Sequence, residues 1–359
     1  MKKLLKSSSS NISLCFVGDM FLDSRNKNTL GKEIHQLFRQ SDFVIGNCES
    51  SLTNADEGND NRIRLISDPK VADIFSSWGV NIVSLANNHS FDDGEKGHDS
   101  TTKALERNNI THIGTGADEL TAFTPIIIES PTNKIALIAC SSPNIGSRMA
   151  GPSRYGCANL HSNQLFDLIY QLKTDNHTVI IMPHWGLCDY IMPTPSQINY
   201  AHKLSQLGAD AVIGCHSHTV QGLEKINKTI IAYSLGNFSF SEYLHNGRVV
   251  KQTRENKNGI VLRLEINAKS MNYKVLHTEN KDGEIQISFD KIRRTQFVKR
   301  CNLLSGSVNR KWQQVVFKRL IGRILFWMKP RMWSHLNRSH IRGIKIIVHE
   351  LLQSRQARK

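Results

Sequence analysis

The amino-acid sequence predicts an α/β protein in which two mixed β-sheets pack together with helices on the outside. Up to residue 114, apolar runs typical of strands alternate with helix-like segments, which indicates parallel strands joined by helical crossovers. Later apolar runs are separated by short turn sequences, and these predict antiparallel pairs. A chain of 359 residues is long enough for one large domain with an appendage.

The first part of the chain supplies three predicted strands that end in polar residues. They span residues 12–19, 43–49 and 81–89. Helices are predicted between and after them at residues 30–39, 72–78 and 101–107, followed by a strand at 110–114. Parallel strands of an open sheet deliver their last residues to one edge, which is where such sheets carry their ligands.

The second part mixes hairpins with more strands of the same kind. Apolar runs at 126–128 and 135–140 flank a turn and predict a hairpin, and helices are predicted at 159–173 and 196–207. Strands at 179–184, 211–213 and 230–237 again lead into His or Asn. Three last strands, at 259–266, 273–277 and 284–289, alternate with turn residues and predict an antiparallel meander.

The net charge of +15 is concentrated at the C-terminal end. Residues 291–359 hold 18 Lys and Arg and one acid, Glu350, whereas residues 1–290 hold 28 basic and 30 acidic side chains. We therefore expect a disordered start at 1–10, a main domain at 11–290 and a basic amphipathic helical tail at 291–359.

The cysteine content and the hydropathy of the sequence indicate the cellular compartment in which the protein is expected. The seven cysteines are scattered and form no Cys-x-x-Cys pair, which favours a reducing compartment over a disulfide framework. Only Leu4 and Leu5 lie between Lys3 and Lys6, so the apolar region of an export signal is missing. No window approaches the roughly 18 consecutive apolar residues of a membrane-spanning helix. We expect a cytoplasmic protein, or a peripheral one on the inner face of a membrane.

Two stretches of the tail, 311–328 and 341–352, place apolar side chains on one helical face and basic side chains elsewhere. This pattern is typical of helices that lie on an anionic membrane surface. Alternatively, the apolar faces pack on the main domain while the charges are solvated. A nucleic-acid-binding arm is a third interpretation with less support, and we do not expect nucleic acid as a partner.

Several predicted strands lead into side chains that can ligate a metal. His216 and His218 are two apart on an extended segment, so both can face one point. The full set is Asp19, Glu49, Asn88, His89, His184, His216 and His218. Carboxylate, amide oxygen and imidazole together suit zinc, manganese or iron. The sequence therefore predicts a site for one or two divalent metal ions.

Seven sequence blocks, in order, resemble the CapA-type capsule and poly-γ-glutamate synthesis proteins. They are GDM at 18–20, NCES at 47–50, SLANNHSFDDG at 84–94, HWG at 184–186, PTPSQ at 193–197, GADAVIGCHSH at 208–218 and YSLGNF at 233–238. That family has a calcineurin-like metallophosphoesterase fold. The resemblance implies a four-layer α/β/β/α sandwich and a role in making, exporting or attaching a surface polymer.

The resemblance also implies roles for individual residues. One metal would be held by Glu49, Asn88, His184 and His216, and a second would share Glu49 and take Asp19 and His218. His89 would donate a proton to the leaving group. Asp92 and Asn237 would orient neighbouring groups, and Asp189 occupies a comparable position one residue later than in relatives.

One departure from the family pattern falls in the first block. Metallophosphoesterases of this fold have Asp-x-His there, whereas this chain has Phe21 at the position of the histidine. The group of Asp19 and His218 is thus one ligand short.

Two functions follow as hypotheses. The first is a metal-dependent hydrolase or transferase of capsule or poly-γ-glutamate biosynthesis that acts on an anionic polymer or a phosphoester. The second is a non-catalytic factor for polymer assembly that uses the same pocket for binding.

Overall fold

The computed structural model describes residues 3–26, 29–55 and 62–304. In chain order, the first eleven strands are β1 (Lys3–Lys6), β2 (Ile12–Phe21), β3 (Thr29–Leu30), β4 (Phe43–Cys48), β5 (Ser51–Leu52), β6 (Ile66–Ser67), β7 (Ile82–Ser84), β8 (Thr111–Ile113), β9 (Thr115–Gly116), β10 (Ile126–Glu129) and β11 (Lys134–Ser141). The others are β12 (Gly156–Cys157), β13 (Thr178–His184), β14 (Ala211–Ile213), β15 (Leu223–Ile226), β16 (Thr229–Ala232), β17 (Asn237–Phe240), β18 (Tyr243–His245), β19 (Arg248–Val250), β20 (Asn258–Ile266), β21 (Met271–Lys281) and β22 (Glu284–Ile287).

The α-helices alternate with these strands. They are α1 (Lys32–Arg39), α2 (Val71–Trp78), α3 (Gly94–Arg107), α4 (Glu119–Ala122), α5 (Asn163–Thr174), α6 (Pro195–Gln206) and α7 (Lys291–Leu304). The start of α6 shows how local sequence sets an element, since Thr194 and Gln197 form a reciprocal capping box and Pro195 occupies the first turn.

Two large mixed sheets form the centre of the protein. The first has the order β1-β10-β11-β13-β14-β16-β15, with β11, β13, β14 and β16 parallel to one another. The second has the order β3-β22-β21-β20-β2-β4-β7-β8, and β17 also pairs with the end of β2. The predicted hairpin is confirmed as β10–β11, and the predicted meander as β20–β21–β22.

Three apolar cores separate four layers. Alternate residues of each strand point to opposite faces, so Ile180 joins the core between the two sheets while Ile181 packs against α5 and α6. On the other sheet, Ile45 faces the shared core and Val44 packs with α1, α2 and α3. The expected α/β/β/α sandwich of two mixed sheets is confirmed.

The structure differs from the sequence prediction at three places. The start of the chain, expected to be disordered at 1–10, contains β1, because the edge of β10 offers free backbone groups that Lys3–Lys6 can pair with. Helix α3 begins at Gly94 and not at residue 101. The strand expected at 230–237 divides into β16 and β17, in different sheets, because Gly236 turns the chain with a φ of 70°.

The tail begins with α7, and this helix packs on the main domain. Leu304 is buried in the core of the first sheet, so the boundary placed after residue 290 does not separate two independent bodies. The two amphipathic stretches predicted at 311–328 and 341–352 lie outside the described residues. Among those residues, no helix has both the length and the apolar character needed to cross a lipid bilayer.

Candidate metal centre

The two sheets meet at the edge where their central parallel strands end. Strand β2 carries Asp19, β4 leads into Glu49, β13 ends at His184, and β14 leads into His216. Close backbone approach joins the sheets here, since the amide of Asp19 donates to the Gly236 carbonyl at 3.0 Å. A Cβ at residue 18 would lie 1.8 Å from that carbonyl oxygen, so only glycine fits before Asp19.

One group of ligand atoms centres on Nε2 of His184. This nitrogen lies 2.9 Å from Oδ1 of Asn88 and 3.4 Å from Oε1 of Glu49. Nδ1 of His216 lies 3.2 Å from the same nitrogen. Ligand atoms of Glu49, His184 and His216 lie within 4.8 Å of one another, and all three residues are buried. The four residues that the resemblance assigned to one metal therefore come together.

A second group shares Glu49. Ligand atoms of Asp19, Glu49 and His218 also lie within 4.8 Å of one another. Oδ2 of Asp19 is 3.5 Å from Nδ1 of His218, and Oε1 of Glu49 is 3.7 Å from Nε2 of that ring. Glu49 thus lies between the two groups, as a bridging carboxylate would.

The donor set fits a divalent cation. Glu49 is fully buried, and neither of its carboxylate oxygens has a hydrogen-bond partner within the described part of the chain. Burial, and then the neighbouring charge of Asp19, raise the pKa of Glu49 well above its usual value. Burial lowers the pKa of His184 to about 3 and that of His216 well below 6.5, so both imidazoles are neutral and can bind a metal. Burial opposes the charged form of His218, but Glu49 and Asp19 raise its pKa, so positive charge is favoured between the two buried carboxylates and a divalent cation could supply it.

His89 lies next to Asn88 and is held by Asp92. Its Nδ1 is 2.6 Å from Oδ2 of Asp92, and the same oxygen accepts the Leu65 amide at 2.7 Å. Burial opposes the charged imidazole, but Asp92 outweighs it, and the pKa of His89 is raised. A fixed imidazole with a raised pKa beside the metal groups can act as a general acid.

The other predicted orienting residues form a chain behind His218. Oδ1 of Asn237 is 2.9 Å from Nδ1 of His218, and Nδ2 of Asn237 donates to the carbonyl of Asn256. Nδ2 of Asn256 in turn donates to Oδ1 of Asp189 at 2.9 Å. Asp189 is thus linked to His218 through Asn256 and Asn237, and its charge also helps to raise the pKa of His218.

Phe21 occupies an aromatic cluster at the end of β2. Its ring centroid lies 5.2 Å from that of Phe240 and 6.2 Å from that of Tyr243. Phe240 also contacts the His218 ring edge-on at 4.8 Å. Where a metallophosphoesterase would supply an imidazole, this chain packs an apolar ring.

Backbone strain marks the loop that carries the two histidines. His216 has a φ of 97° and His218 a φ of 55°, in the left-handed region that non-glycine residues rarely adopt. Such conformations cost about 1–3 kcal/mol each and persist where the surrounding structure imposes them, which is common at functional sites.

Sequence reasoning missed two residues at the centre. Asn47 donates to Oδ1 of Asp19 at 2.8 Å and lies 3.4 Å from Nδ1 of His184. Its position two residues before Glu49 in the NCES block could have indicated it, because alternate strand residues share a face. Sγ of Cys188 lies 3.5 Å from Nε2 of His216. No pattern in the sequence pointed to this contact, which depends on the loop after β13.

Comparison with known proteins gives a family match and several relatives. The family described as bacterial capsule synthesis protein PGA_cap matches residues 13–242. The PGA biosynthesis protein CapA of Bacillus subtilis is 25% identical over 244 residues, which cover 64% of each chain. The capsule biosynthesis protein CapA of Bacillus anthracis is 25% identical over 248 residues, covering 64% of this chain and 60% of that protein. The chain thus matches somewhat less than two thirds of these relatives' own length.

A distant likeness to a solved structure was also found. The NAD nucleotidase of Haemophilus influenzae aligns at 12% sequence identity with a TM-score of 0.42. The alignment covers 79% of this chain and 54% of that one.

Proposed function

Because this chain belongs to the family of bacterial capsule synthesis proteins, we propose that it is a metal-dependent hydrolase or transferase of capsule or poly-γ-glutamate biosynthesis. Its substrate would be an anionic polymer or a phosphoester. The observation that carries the proposal is the buried carboxylate of Glu49, which lacks a hydrogen-bond partner in the described chain and is shared by two groups of ligand atoms.

The residues of the candidate centre would serve either as metal ligands or as the general acid. Glu49, Asn88, His184 and His216 would hold one divalent ion, and Asp19, Glu49 and His218 a second. Manganese, zinc or iron bound there would polarise the scissile bond and lower the pKa of a bound water. His89, oriented by Asp92, would donate the proton that the leaving group needs. The buried ligands keep bulk water away, which strengthens every electrostatic interaction at the centre.

Elemental analysis of the purified full chain tests this proposal first. We expect at least one transition metal per chain, and a rise in melting temperature when Mn²⁺ or Zn²⁺ is added to chelator-treated protein. A folded preparation with no metal and no response to either ion would refute the proposal.

A non-catalytic role in polymer assembly is the second candidate, and Phe21 is the observation that favours it. With this ring in place, the Asp19 and His218 group has fewer ligands than the other. The His89→Asn variant separates the candidates. Loss of polymer production with unchanged polymer binding supports catalysis, whereas unchanged production supports a binding factor.

We also propose that the basic segment 311–352, which lies outside the described residues, holds the protein at an anionic membrane surface on the cytoplasmic side. Deleting residues 311–359 is expected to move the protein from the membrane fraction to the soluble fraction. Identical fractionation of both chains would refute this role.

A further inference from the structure

A small cavity lies between α7 and strands β20 and β21, away from the metal ligands. Its volume is 130 Å³. The polar part of its lining comes from Arg254, Glu255, Asn258, His277, Thr278, Arg293, Gln296 and Arg300, which include three arginines and one acid. Pockets for drug-sized ligands begin at about 300 Å³, so this cavity suits a small ion or a single headgroup and not a polymer segment.

Several polar groups in this cavity have unused hydrogen-bonding capacity. Thr278 is 1% exposed, and its hydroxyl has no partner within the described residues. Oδ1 of Asn258 is also buried without a partner, although its amide nitrogen donates to the Arg254 carbonyl. In the part of the chain that the structure describes, the side chains of His277 and Gln296 make no hydrogen bond. Buried polar atoms are rarely left unsatisfied, so the two buried oxygens, Oγ1 of Thr278 and Oδ1 of Asn258, in residues that line one cavity point to a bound ligand.

The charges around the cavity favour an anion. Arg300 is held by Glu255 at 3.1 Å, and Arg293 by Glu279 at 2.6 Å and by Asp290 at 3.4 Å. The guanidinium of Arg254 has no ion-pair partner among the described residues and is available to a ligand. Burial, and then Arg294, Arg293 and Arg300, lower the pKa of His277.

We propose that this cavity binds a small phosphate-type oxyanion, either free phosphate or the phosphate of a headgroup. Arg254, Thr278 and His277 would donate hydrogen bonds to its oxygens. The orphaned Oδ1 of Asn258 needs a donor, and the P–OH of a hydrogen phosphate supplies one. None of the candidate metal ligands lines the cavity, although Val220, two residues after His218, does. It is distinct from the ligand groups that the proposed function uses.

Isothermal titration of inorganic phosphate into chelator-treated full-length protein tests the site. Sulfate serves as the comparison anion and should bind more weakly, because at neutral pH it has no hydroxyl for Asn258. Thr278→Val removes a hydroxyl that has no protein partner within the described residues, so the fold should be unaffected while phosphate affinity falls about tenfold. Arg254→Gln, at an exposed position, should weaken binding severalfold. Lys257→Ala, an exposed lysine of the same loop outside the cavity, is the matched control and should bind as the wild type does.

Two results would overturn the proposal. The first is that Thr278→Val and Arg254→Gln both bind phosphate as tightly as the wild type does, or that the wild-type protein itself does not bind phosphate. The second is that Glu49→Gln loses phosphate binding while Thr278→Val binds phosphate as the wild type does, which would place the anion at the metal centre. Metal content is measured separately, so failure of the proposed function is recognised independently of failure of the anion site.

The source of the phosphate is found with phosphatidylcholine vesicles that contain phosphatidic acid. If Thr278→Val weakens vesicle binding as well as phosphate binding, the ligand is a lipid headgroup. If only the binding of free phosphate weakens, the ligand is the free ion. Either result supports the anion site.

Discussion

At the residue scale, the carboxylate of Glu49 is a buried group that needs a cation to balance its charge. It is fully buried beside Asp19 and lacks a hydrogen-bond partner in the described chain. Glu49→Gln replaces the buried charge with a neutral side chain of the same shape. We expect the variant to lose metal binding and, in the presence of a chelator, to gain about 1 kcal/mol or more in the free energy of unfolding. Urea denaturation of both proteins with a chelator measures the gain.

Glu224→Gln is the control for that measurement. Glu224 accepts from the Tyr233 hydroxyl at 2.6 Å, and its Oε1 lies 2.8 Å from Nε2 of His202. Both contacts are made by Oε1, so unlike Glu49 this carboxylate has hydrogen-bond partners, and its replacement should cost about 1–3 kcal/mol. If Glu49→Gln destabilises the metal-free protein as much as Glu224→Gln does, then the buried carboxylate of Glu49 is stabilised by the protein itself and needs no metal ion.

Cys188 is the residue for which the structure makes a prediction that the sequence did not. Nδ1 of His216 lies 3.2 Å from Nε2 of His184, so we expect Nδ1 to be the nitrogen that binds the metal. The proton of the ring would then lie on Nε2, where it can be donated to the sulfur of Cys188. Removing the acceptor in Cys188→Ala should lower the affinity for Mn²⁺ or Zn²⁺ by about 10- to 100-fold. Cys188→Ser keeps an acceptor and should bind nearly as the wild type does. Equal affinity in all three proteins, measured by titration of chelator-treated samples, would contradict this role.

Sequence reasoning pointed to residues that the structure brings together as candidate ligands, but not to the contacts that position them. Asp19, Glu49 and His216 could be found because each lies at or just beyond a recognisable apolar strand. The contact of Cys188 could not, because it depends on a loop in which the next residue, Asp189, adopts a φ of 63°. Turns of this kind are fixed by tertiary contacts, such as the one from the Asp189 amide to the Ser217 carbonyl.

At the element scale, helix α3 links the His89 segment to the rest of the second sheet. His98 on this helix stacks on Phe91, with ring centroids 4.5 Å apart, and its Nε2 lies 2.9 Å from the Thr115 hydroxyl. Burial lowers the pKa of His98 from 6.5 to about 4. Between these two pH values the unfolded chain takes up a proton that the folded chain does not. The free energy of unfolding should therefore fall as pH is lowered through this range, by about 3 kcal/mol at most.

The variant His98→Gln isolates this effect from the titration of carboxylates. Glutamine can still bond to Thr115 but does not titrate, so its stability should depend less on pH between 6.5 and 4. Urea denaturation of both proteins at several pH values in this range gives the difference. Parallel curves for the two proteins would show that His98 does not stay neutral in the folded state.

Elements with a clear apolar pattern were predicted well, and those fixed by distant partners were not. The predicted helix at 72–78 matches α2 closely, because its apolar residues are regularly spaced and Gly79 ends it with a φ of 88°. Strand β1 was missed because a short lysine-flanked segment becomes a strand only when the edge of β10 is available. The first two turns of α3 were missed because mostly polar residues fill them.

At the scale of the whole molecule, the candidate metal centre forms because two sheets place the ends of their parallel strands side by side. Asp19 and Glu49 come from one sheet and His184 and His216 from the other, so neither sheet alone holds a complete set of ligands. The order of strands could be inferred only in part from the sequence. Strand β2, for example, pairs with β20 along its first half and with β17 at its end, which no local pattern shows.

The C-terminal limit of this folded body can be predicted from the contacts of α7. Arg300 donates to the Val220 carbonyl, the Leu223 amide donates to the sulfur of Cys301, and Leu304 is buried against Gly222. A chain that ends at residue 290 loses all of these contacts and should lose about 3 kcal/mol in the free energy of unfolding.

A chain that ends at residue 304 keeps those contacts, and we expect it to unfold at the same urea concentration as the full-length protein. Comparing the chains that end at residues 290, 304 and 359 separates the contribution of α7 to stability from that of residues 305–359. If the chain ending at residue 290 is as stable as the one ending at 304, then α7 is an appendage and the boundary predicted from charge alone is the physical one. If only the chain ending at residue 290 is destabilised, the folded domain includes α7, and the boundary predicted from charge alone lies too early in the chain.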